Sequence, residues 1–547
     1  MMPALTPIKI SVDAGRSRGP LRRIWQFIGY DEINYTTTPS GKATLARFKQ
    51  LGETPYYVRA HHLLCTGNLR GIPKWGSTNV YAEDEAGDAV YDWRYLDEVF
   101  DAYRQARCRP FVELGFMPLD LADLRGQPAA RPWGHWWYPG WSSPPKDYRK
   151  WQDLIYQLVA HCVDRYGREE AATWFWELWN EPDIATYYWR GTVAEYCTLY
   201  DYTVAAVEDA LPGAMVGGPA TTYRGHAWLD QFLDHCVHGV NQATGTQGTR
   251  LAFISFHAKG ASYRPQWGRS DVAKELPSVQ RVLTQVTAGL EVLDKYPSLK
   301  GVPCILSECD TDGMAAYGVG DNPNLHFRNT AYYPSFVAAT FKKLMDLADR
   351  AGRSIDALTW AFTFPGEDCF AGTRTFTTQD IDKPILNLFR MYAHLGDTRL
   401  HFKSSGDDEA RCADSAEGVS EAPDIDGIAA RRGESAVGVL IYCHHDDWEV
   451  QGEYPINVEV TNLAFLGPRV VVTQYHIDQL HSNAYTEWAR QGCPRYPTTA
   501  QTRAIKAREG LECGQPSAEV PLEAGILTTS LTLPVHGIAL LHITRPA

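Results

Sequence analysis

The stretch WFWELWNEPD at residues 174–183 shows the unit from which most of the chain is built. Its first six residues are apolar or aromatic apart from one glutamate, and polar residues follow directly. A run without sustained polar alternation is typical of a parallel strand that is covered on both faces. Amphipathic helical patterns lie on either side, at 148–167 and 192–212. The stretch therefore indicates the strand of a β/α unit.

Seven more stretches of this kind alternate with helical patterns. The predicted strands are 24–31, 54–61, 109–116, 174–179, 215–220, 252–257, 302–308 and 357–364, and further predicted helices are 94–106, 275–297 and 331–352. Eight such units over this length fit a (β/α)₈ TIM barrel better than an open doubly wound sheet. No glycine-rich phosphate loop follows the first strand, which also disfavours a dinucleotide-binding fold. The sequence predicts an α/β fold with a (β/α)₈ barrel over residues 21–397.

The pattern changes after residue 397. The segment 404–434 is rich in Ser, Gly, Asp, Glu and Ala and predicts a loop or linker, and short strand-like runs follow it. We expect an all-β, sandwich-like accessory domain over 398–547. A separate early strand, PIKISVD at 7–13, lies outside the barrel count, and residues 1–20 are predicted to pack on the β domain.

Composition narrows the class of protein. A chain of 547 residues is too long for one core. Its net charge of −13 disfavours a nucleic-acid partner, since phosphate binding needs a basic surface. The 12 cysteines show no C-x-x-C spacing, and neither a leader-like N-terminus nor a stretch of about 18–20 apolar residues is present. We expect a cytoplasmic protein with no nucleic-acid or membrane partner and leave its oligomeric state open.

Residues suited to catalysis follow several predicted strands. In a TIM barrel the carboxyl ends of the strands point into the active-site mouth. The candidates there are His61, Asn180, Glu181, His257, Glu308 and Trp360. Glycoside hydrolysis requires two carboxylates from different positions, one as proton donor and one as nucleophile or base. One glutamate at a strand end is most simply an ion-pair partner, whereas two buried ones favour catalysis.

The strings WNEPD at 179–183 and ILSECD at 305–310 resemble glycoside hydrolase family 39, whose members are TIM-barrel enzymes. The resemblance runs along nearly the whole chain. It includes YVRAHHLL at 57–64, ELGFMP at 113–118, VGGPA at 216–220, FISFHAKG at 253–260 and KPILNLFR at 383–390. GYDEINY at 29–35 and WGSTNVY at 75–81 resemble a bacterial subgroup usually described as β-xylosidases.

The resemblance implies roles for the candidate residues. Glu181 matches the family's acid/base and Glu308 its nucleophile, so a retaining double displacement without cofactor is expected. Asn180 matches the asparagine that contacts the sugar 2-hydroxyl. The remaining matches are His61 and His257, which line the site, and Trp360, which stacks on the sugar. The implied partner is a glycoside or a small oligosaccharide.

Lys259 departs from the xylosidase pattern. The string FHAKG, with HCVHGVN upstream, resembles the α-L-iduronidase branch, where a lysine suits a uronate carboxylate. We expect Lys259 to bind substrate through a neutral hydroxyl, and the alternatives are a uronate carboxylate of the substrate and a structural bridge to a loop carboxylate. The first hypothesis is an exo-acting β-xylosidase that releases terminal xylose. The alternatives are the same chemistry on an α-L-iduronide, arabinoside or galactoside, and a carbohydrate-binding barrel without turnover.

Several other features stay open at this stage. Glu177 and Glu113 could support the site or serve as structural carboxylates inside the barrel. The tryptophan-rich segment 131–148 could wall the sugar site or pack on itself. The pairs at 61–62 and 444–447 lack the spacing of a zinc site, and neighbouring residues on a strand point to opposite faces. No metal is predicted.

Overall fold

A computed structural model describes residues 6–31, 33–67, 77–126, 140–407 and 422–546. The first strand, β1 (Ile8–Pro20), joins no barrel and is taken up below. Eight of the later strands close into a parallel barrel, and two short hairpins, Tyr81–Glu83 with Ala89–Tyr91 and Thr377–Thr378 with Ile381–Asp382, lie outside it. The barrel strands are β2 (Phe27–Tyr30), β3 (Tyr57–Ala60), β4 (Arg109–Leu114), β5 (Phe175–Leu178), β6 (Met215–Thr221), β7 (Phe253–Lys259), β8 (Cys304–Asp310) and β9 (Ile355–Trp360). The predicted TIM barrel is confirmed.

The helices alternate with these strands. They are α1 (Pro39–Phe48), α2 (Arg94–Gln105), α3 (Tyr148–Tyr166), α4 (Arg168–Ala171), α5 (Val193–Ala210), α6 (His226–His238), α7 (Val279–Asp294), α8 (Tyr332–Ala351) and α9 (Pro384–His394). Short 3₁₀ turns lie at Ile33–Thr37, Leu119–Leu121, Pro297–Leu299, Pro323–Asn329 and Ala464–Leu466. Over the described ranges, the helices are too short or too polar to cross a membrane.

The barrel strands are buried along almost their whole length, with only the first residue of four of them half-exposed. This agrees with strands that helices cover on the outside and side chains fill on the inside. The helix predicted at 275–297 is shorter than expected. It begins at Val279, because the Ser278 hydroxyl accepts from the Arg281 N–H and caps the first turn, just after Pro277.

A second sheet contains nine strands of mixed direction, in the order β15-β14-β17-β12-β11-β10-β1-β13-β16. The strands not yet introduced are β10 (Thr398–Ser404), β11 (Asp424–Arg432), β12 (Ala436–His444), β13 (Glu453–Thr461), β14 (Arg469–Ile477), β15 (Glu512–Pro521), β16 (Leu527–Pro534) and β17 (Ile538–Thr544). β1 runs antiparallel to β10 and parallel to β13. The N-terminal strand is thus an interior strand of this sheet.

The second sheet curls around a core of its own. One apolar cluster includes Val470 from β14 and Leu527 from β16, which lie near opposite ends of the strand order. Helix α8 of the barrel packs against this sheet, where the Tyr332 hydroxyl donates to the Asp446 carbonyl at 2.7 Å. His444 lies in this junction, with its Nδ1 2.9 Å from the Ser335 hydroxyl.

Two short helices, α10 (Ala484–Arg490) and α11 (Thr499–Lys506), lie between β14 and β15. They pack on the loop that follows β9, where Phe370 contacts Trp488 with ring centroids 5.1 Å apart. Ala484 and Ile505 share a buried cluster with Cys369 of that loop. The helices α10 and α11 therefore support the loop that closes one side of the barrel mouth.

Candidate active site

The two predicted carboxylates meet at the carboxyl ends of the barrel strands. Glu181 lies three residues beyond β5, and Glu308 lies within β8. One oxygen of each, together with a ring nitrogen of His257, lies within 4.8 Å of the others. Strands on opposite parts of the barrel thus bring the pair into one site, as expected from the fold.

The backbone around Glu181 is held in an uncommon conformation. Glu181 has φ 44° and Trp179 has φ 69°, in the left-handed region that side chains other than glycine seldom adopt. The Glu181 N–H donates to the Ala220 carbonyl at 2.9 Å, and the Trp179 indole N–H donates to the Tyr188 carbonyl at 2.8 Å. Such strain persists where the surroundings fix it, most often at functional sites.

Glu181 is set up to carry a proton at neutral pH. Burial raises the pKa of its carboxyl to about 8, and the negative charge of Glu308 adds to the effect. Its Oε1 lies 2.9 Å from Nδ1 of His257. Burial lowers the pKa of His257 to about 4, so this imidazole stays neutral and leaves the proton on Glu181 undisturbed.

Glu308 is set up to stay ionised. Burial by itself raises the pKa of this carboxyl, but the surrounding charges, Lys259 foremost, hold the pKa well below its usual range. The Lys259 ammonium donates to Oε2 at 2.7 Å, and the Arg59 guanidinium lies 3.4 Å from Oε1. Neighbouring carboxyls whose pKa values are driven in opposite directions are the arrangement that acid catalysis beside a nucleophile requires.

The remaining predicted residues surround the pair. His61 Nδ1 lies 2.6 Å from Glu113 Oε2, and Asn180 Oδ1 accepts from Arg59 at 3.0 Å. The Trp360 indole N–H donates to Asp31 at 3.1 Å. A cavity of about 270 Å³ lies between them, and the residues that line it are Asp31, His61, Asn180, Glu181, Tyr187, Tyr188, Glu308, the segment 313–317, Trp360 and Arg374.

Sequence reasoning missed Arg59, which organises the floor of the site. Its fully buried guanidinium donates to Glu177 at 2.5 Å and lies 3.1 Å from Glu113. Glu113 and Glu177, whose roles the sequence leaves undecided, are therefore ion-pair partners of an arginine that also contacts Glu308. A signal was available: Arg59 is a charged residue in an apolar strand, two positions before His61 and so on the same side of β3.

The sequence predicts Lys259 as a substrate-binding residue, and the structure places its ammonium beside the nucleophile candidate Glu308. The lysine side chain is buried, and its ammonium lies between Glu308 and Asp310, donating at 2.7 and 2.5 Å. It does not belong to the set of residues that line the cavity. Lys259 thus acts on the carboxylate of Glu308. Asp310 was also missed, although alternation along β8 places it on the same side as Glu308.

Arg374 is a further missed residue. It lies in the loop after β9, where its Nε donates to the Trp360 carbonyl at 2.9 Å and its Nη1 lies 3.4 Å from Asp310. Its guanidinium also donates to the Asp312 carbonyl and reaches the cavity. No strand-end rule points to a loop residue, so sequence reasoning had no signal for it.

The tryptophan-rich segment falls partly outside the described residues, which omit 127–139. Trp141 is fully buried, and its ring packs against Phe116 at 4.8 Å. Tyr188 lies beside that pair, with its ring 5.5 Å from Phe116, and lines the cavity. The described part of the segment therefore supports the cavity wall from behind.

The group Glu181, His257 and Glu308 is close enough in the described structure to be considered as a metal site. The charges around these three residues favour proton transfer over the binding of a cation. Glu308 already pairs with Lys259, and Glu181 carries a proton near neutral pH. A cation would have to displace both. The arrangement suits proton transfer and nucleophilic attack.

The chain is similar to known glycosidases along nearly its whole length. The model of Glycosyl hydrolases family 39 matches residues 8–525. A β-xylosidase of Geobacillus stearothermophilus is 26% identical over 502 residues, which cover 89% of this chain and 86% of the relative. The α-L-iduronidase of Homo sapiens is 25% identical over 582 residues, covering 100% of this chain and 80% of the relative. The solved structure of a bacterial orthologue of human α-L-iduronidase has a TM-score of 0.78 at 20% identity, covering 99% of this chain and 85% of that one.

Proposed function

The chain belongs to family 39 of the glycosyl hydrolases and is a glycoside hydrolase, and on that premise we propose a retaining exo-glycosidase with Glu308 as nucleophile and Glu181 as acid and base. One observation carries the proposal. Two carboxyls on different strands have oxygens within 4.8 Å, while their pKa values are driven in opposite directions. One group is thereby an acid and the other a nucleophile at the same pH.

The spacing of the carboxyls supports retention of configuration. Retaining enzymes place them about 5–5.5 Å apart, whereas inverting enzymes need about 6.5–9.5 Å to admit a water. One oxygen of Glu181 and one of Glu308 lie within 4.8 Å of each other, which supports the shorter, retaining separation. Glu308 therefore attacks the anomeric carbon directly, and the two displacements together restore the original configuration.

The reaction begins when a carboxylate oxygen of Glu308 bonds to the anomeric carbon and the glycosidic bond breaks. The proton of Glu181 moves to the departing oxygen. Lys259 and Arg59 hold the nucleophile ionised until then.

In the glycosyl-enzyme, Glu308 has lost the charge that helped to raise the pKa of Glu181. Glu181 is then a carboxylate with a lower pKa, able to take a proton from water. The activated water attacks the anomeric carbon and restores Glu308.

The size of the cavity supports action at chain ends. Its volume of about 270 Å³ is just below the range of sites for drug-sized ligands, which suits one sugar ring. Tyr188 and the segment 313–317 wall the described part of the cavity. We therefore propose removal of one terminal sugar at a time.

The charge balance favours a neutral sugar, and xylose is the first choice. The cations near the cavity are already matched by carboxylates. Lys259 contacts Glu308 and Asp310, and Arg374 lies near Asp310 and Asp312. Arg59 pairs with Glu113, Glu177 and Glu308. Asp31 adds a carboxylate that lines the cavity directly. A uronate would bring a further negative charge to carboxylates that already hold these cations. A β-xyloside brings none.

An α-L-iduronide is the second candidate. Arg374 reaches the cavity and is a cation that a substrate carboxylate would seek. The likeness to α-L-iduronidases covers as much of the chain as the likeness to β-xylosidases. Arabinosides and galactosides remain further choices with the same chemistry.

The proposal is tested with matched aryl β-xyloside, α-L-iduronide, α-L-arabinoside and β-galactoside substrates. We expect the highest kcat/KM on the β-xyloside, and the first product seen by ¹H NMR to be β-xylose. A tenfold or greater preference for the iduronide would replace xylose and leave the mechanism standing. α-Xylose as first product contradicts retention, and binding without turnover of any glycoside identifies a carbohydrate-binding protein.

A further inference from the structure

An exposed tryptophan lies beside the cavity wall. Trp267, in the loop between β7 and α7, is 68% exposed, the one exposed tryptophan of the described ranges. Its ring centroid lies 6.4 Å from that of Tyr317, with the planes at 77°. Tyr317 lines the cavity. An aromatic surface therefore continues from the sugar cavity to the outside of the barrel mouth.

The exposed indole is held in one orientation. Its N–H donates to Asp321 Oδ1 at 2.9 Å, and Asp321 Oδ2 accepts from the Gly318 N–H at 2.8 Å. The two loops are joined further by the Gln266 N–H, which donates to the Asp321 carbonyl at 2.8 Å. A side chain that packing does not bury is thus fixed by hydrogen bonds that leave its faces open.

One more exposed apolar side chain lies in the same loop as Tyr317. Val319, 37% exposed, lies two residues after Tyr317 and two before Asp321. A large aromatic ring with open faces and a bonded N–H is the kind of group that proteins use to bind a partner with an apolar face. We call Trp267, Tyr317 and Val319 the rim patch.

We infer that the rim patch binds the leaving-group part of the substrate, a second sugar ring or an aryl group, as it projects from the cavity. The inference rests on the proposed function. The cavity holds one ring, so the next ring must lie at its opening, and Tyr317 joins the two. The C–H face of a pyranose or the face of an aryl ring suits the indole, which carries no charge.

The test compares substrates that differ only in the leaving group. For Trp267→Ala we expect kcat/KM on xylobiose and on an aryl β-xyloside to fall about tenfold, the effect of one lost aromatic contact. β-Xylosyl fluoride, whose leaving group has no ring, should be hydrolysed within about twofold of the wild-type rate. Transfer of xylose from the fluoride to added xylobiose should fall along with xylobiose hydrolysis, because the acceptor binds in the same place.

Two control variants distinguish the loss of the aromatic face at Trp267 from a general loss of activity. Trp267→Phe keeps an aromatic face without the bond to Asp321 and should lie between wild type and Trp267→Ala. Tyr496→Ala removes an aromatic side chain that is 66% exposed and is not among the cavity residues, so both substrate classes should behave as in wild type.

Equal losses on fluoride and xylobiose, or no loss on either, overturn the inference. It is also overturned if Trp267→Ala converts a dimer to monomers in sedimentation velocity, since the patch then binds a second copy of the chain. A wild type inactive on β-xylosyl fluoride but active on another glycosyl fluoride contradicts only the xylose assignment, and the comparison is then made with that sugar. Inactivity on every fluoride overturns both proposals.

Discussion

Removing the ammonium of Lys259 should raise the pH at which the enzyme loses activity in acid. The group donates to Glu308 at 2.7 Å and to Asp310 at 2.5 Å, and only 4% of the lysine side chain is exposed to water. A hydrogen bond to a charged group contributes about 1.5–3 kcal/mol. Since about 1.4 kcal/mol corresponds to one pKa unit, Lys259→Met should move the acidic limb of kcat/KM upward by about one to two pH units.

The sign follows from the state of Glu308. Its pKa is held well below the usual range, so the wild type keeps an ionised nucleophile into acid. Without Lys259 the carboxyl protonates at a higher pH and activity is lost earlier as the pH falls. The assay is the pH profile of kcat/KM on an aryl β-xyloside, with thermal melting measured at each pH.

Matched variants separate this effect from misfolding. Lys259→Arg keeps the charge and should retain most of the acidic limb. The double variant Lys259→Met/Asp310→Asn also lacks the neighbouring negative charge, which raises the pKa of Glu308. Its acidic limb should therefore lie between those of the wild type and Lys259→Met. Lys295→Met removes an exposed lysine that pairs with Asp230 at 2.7 Å and should change nothing. An acidic limb that stays at its wild-type pH in Lys259→Met refutes the reasoning.

Three further results are expected. Glu308→Gln should abolish turnover and should not regain it with azide, because the amide forms no glycosyl-enzyme; more than about a tenth of wild-type activity on an activated substrate contradicts the nucleophile assignment. Glu181→Ala should lose far more activity on poor leaving groups than on nitrophenolates, give a β-glycosyl azide with azide, and lack the basic limb that we expect near pH 8 in the wild type; equal losses on both leaving groups count against it. Arg59→Met should lower the free energy of unfolding by about 3–5 kcal/mol in urea, because it leaves Glu113 and Glu177 buried without their partner, whereas the exposed Arg94→Met should leave the urea midpoint in place.

The barrel was predictable because each of its strands is marked by a pattern within a short stretch of sequence. A run of three to seven buried residues between helical patterns carries its own signal, and all eight predicted strands overlap strands of the barrel. The strand-end rule then placed Glu181 and Glu308 at one mouth, where their oxygens lie within 4.8 Å. The same rule could not find Arg374, which comes from a loop, or the boundary of α7, which a serine cap decides.

The role of Lys259 shows a second limit. The sequence indicated that a lysine follows His257 near the barrel mouth, and the prediction assigned it to substrate. The structure pairs it with Glu308 and Asp310, both of which come from β8. Two strands that are neighbours in the barrel bring these groups together at positions 49 and 51 residues apart in the chain. The register between neighbouring strands decides which buried charged side chains form ion pairs.

The sequence by itself determined the eight β/α units, the family and the two carboxyls, because periodicity and short motifs reflect which face of each element is buried. Only the tertiary structure decided how β1 inserts between β10 and β13, and how Arg59, Lys259 and Asp310 surround Glu308. The tertiary structure also decided that the pKa of Glu181 is raised while that of Glu308 is lowered. Burial and the electrostatic energy between charges depend on separations in space, and residues far apart in the chain acquire these separations only when the barrel closes.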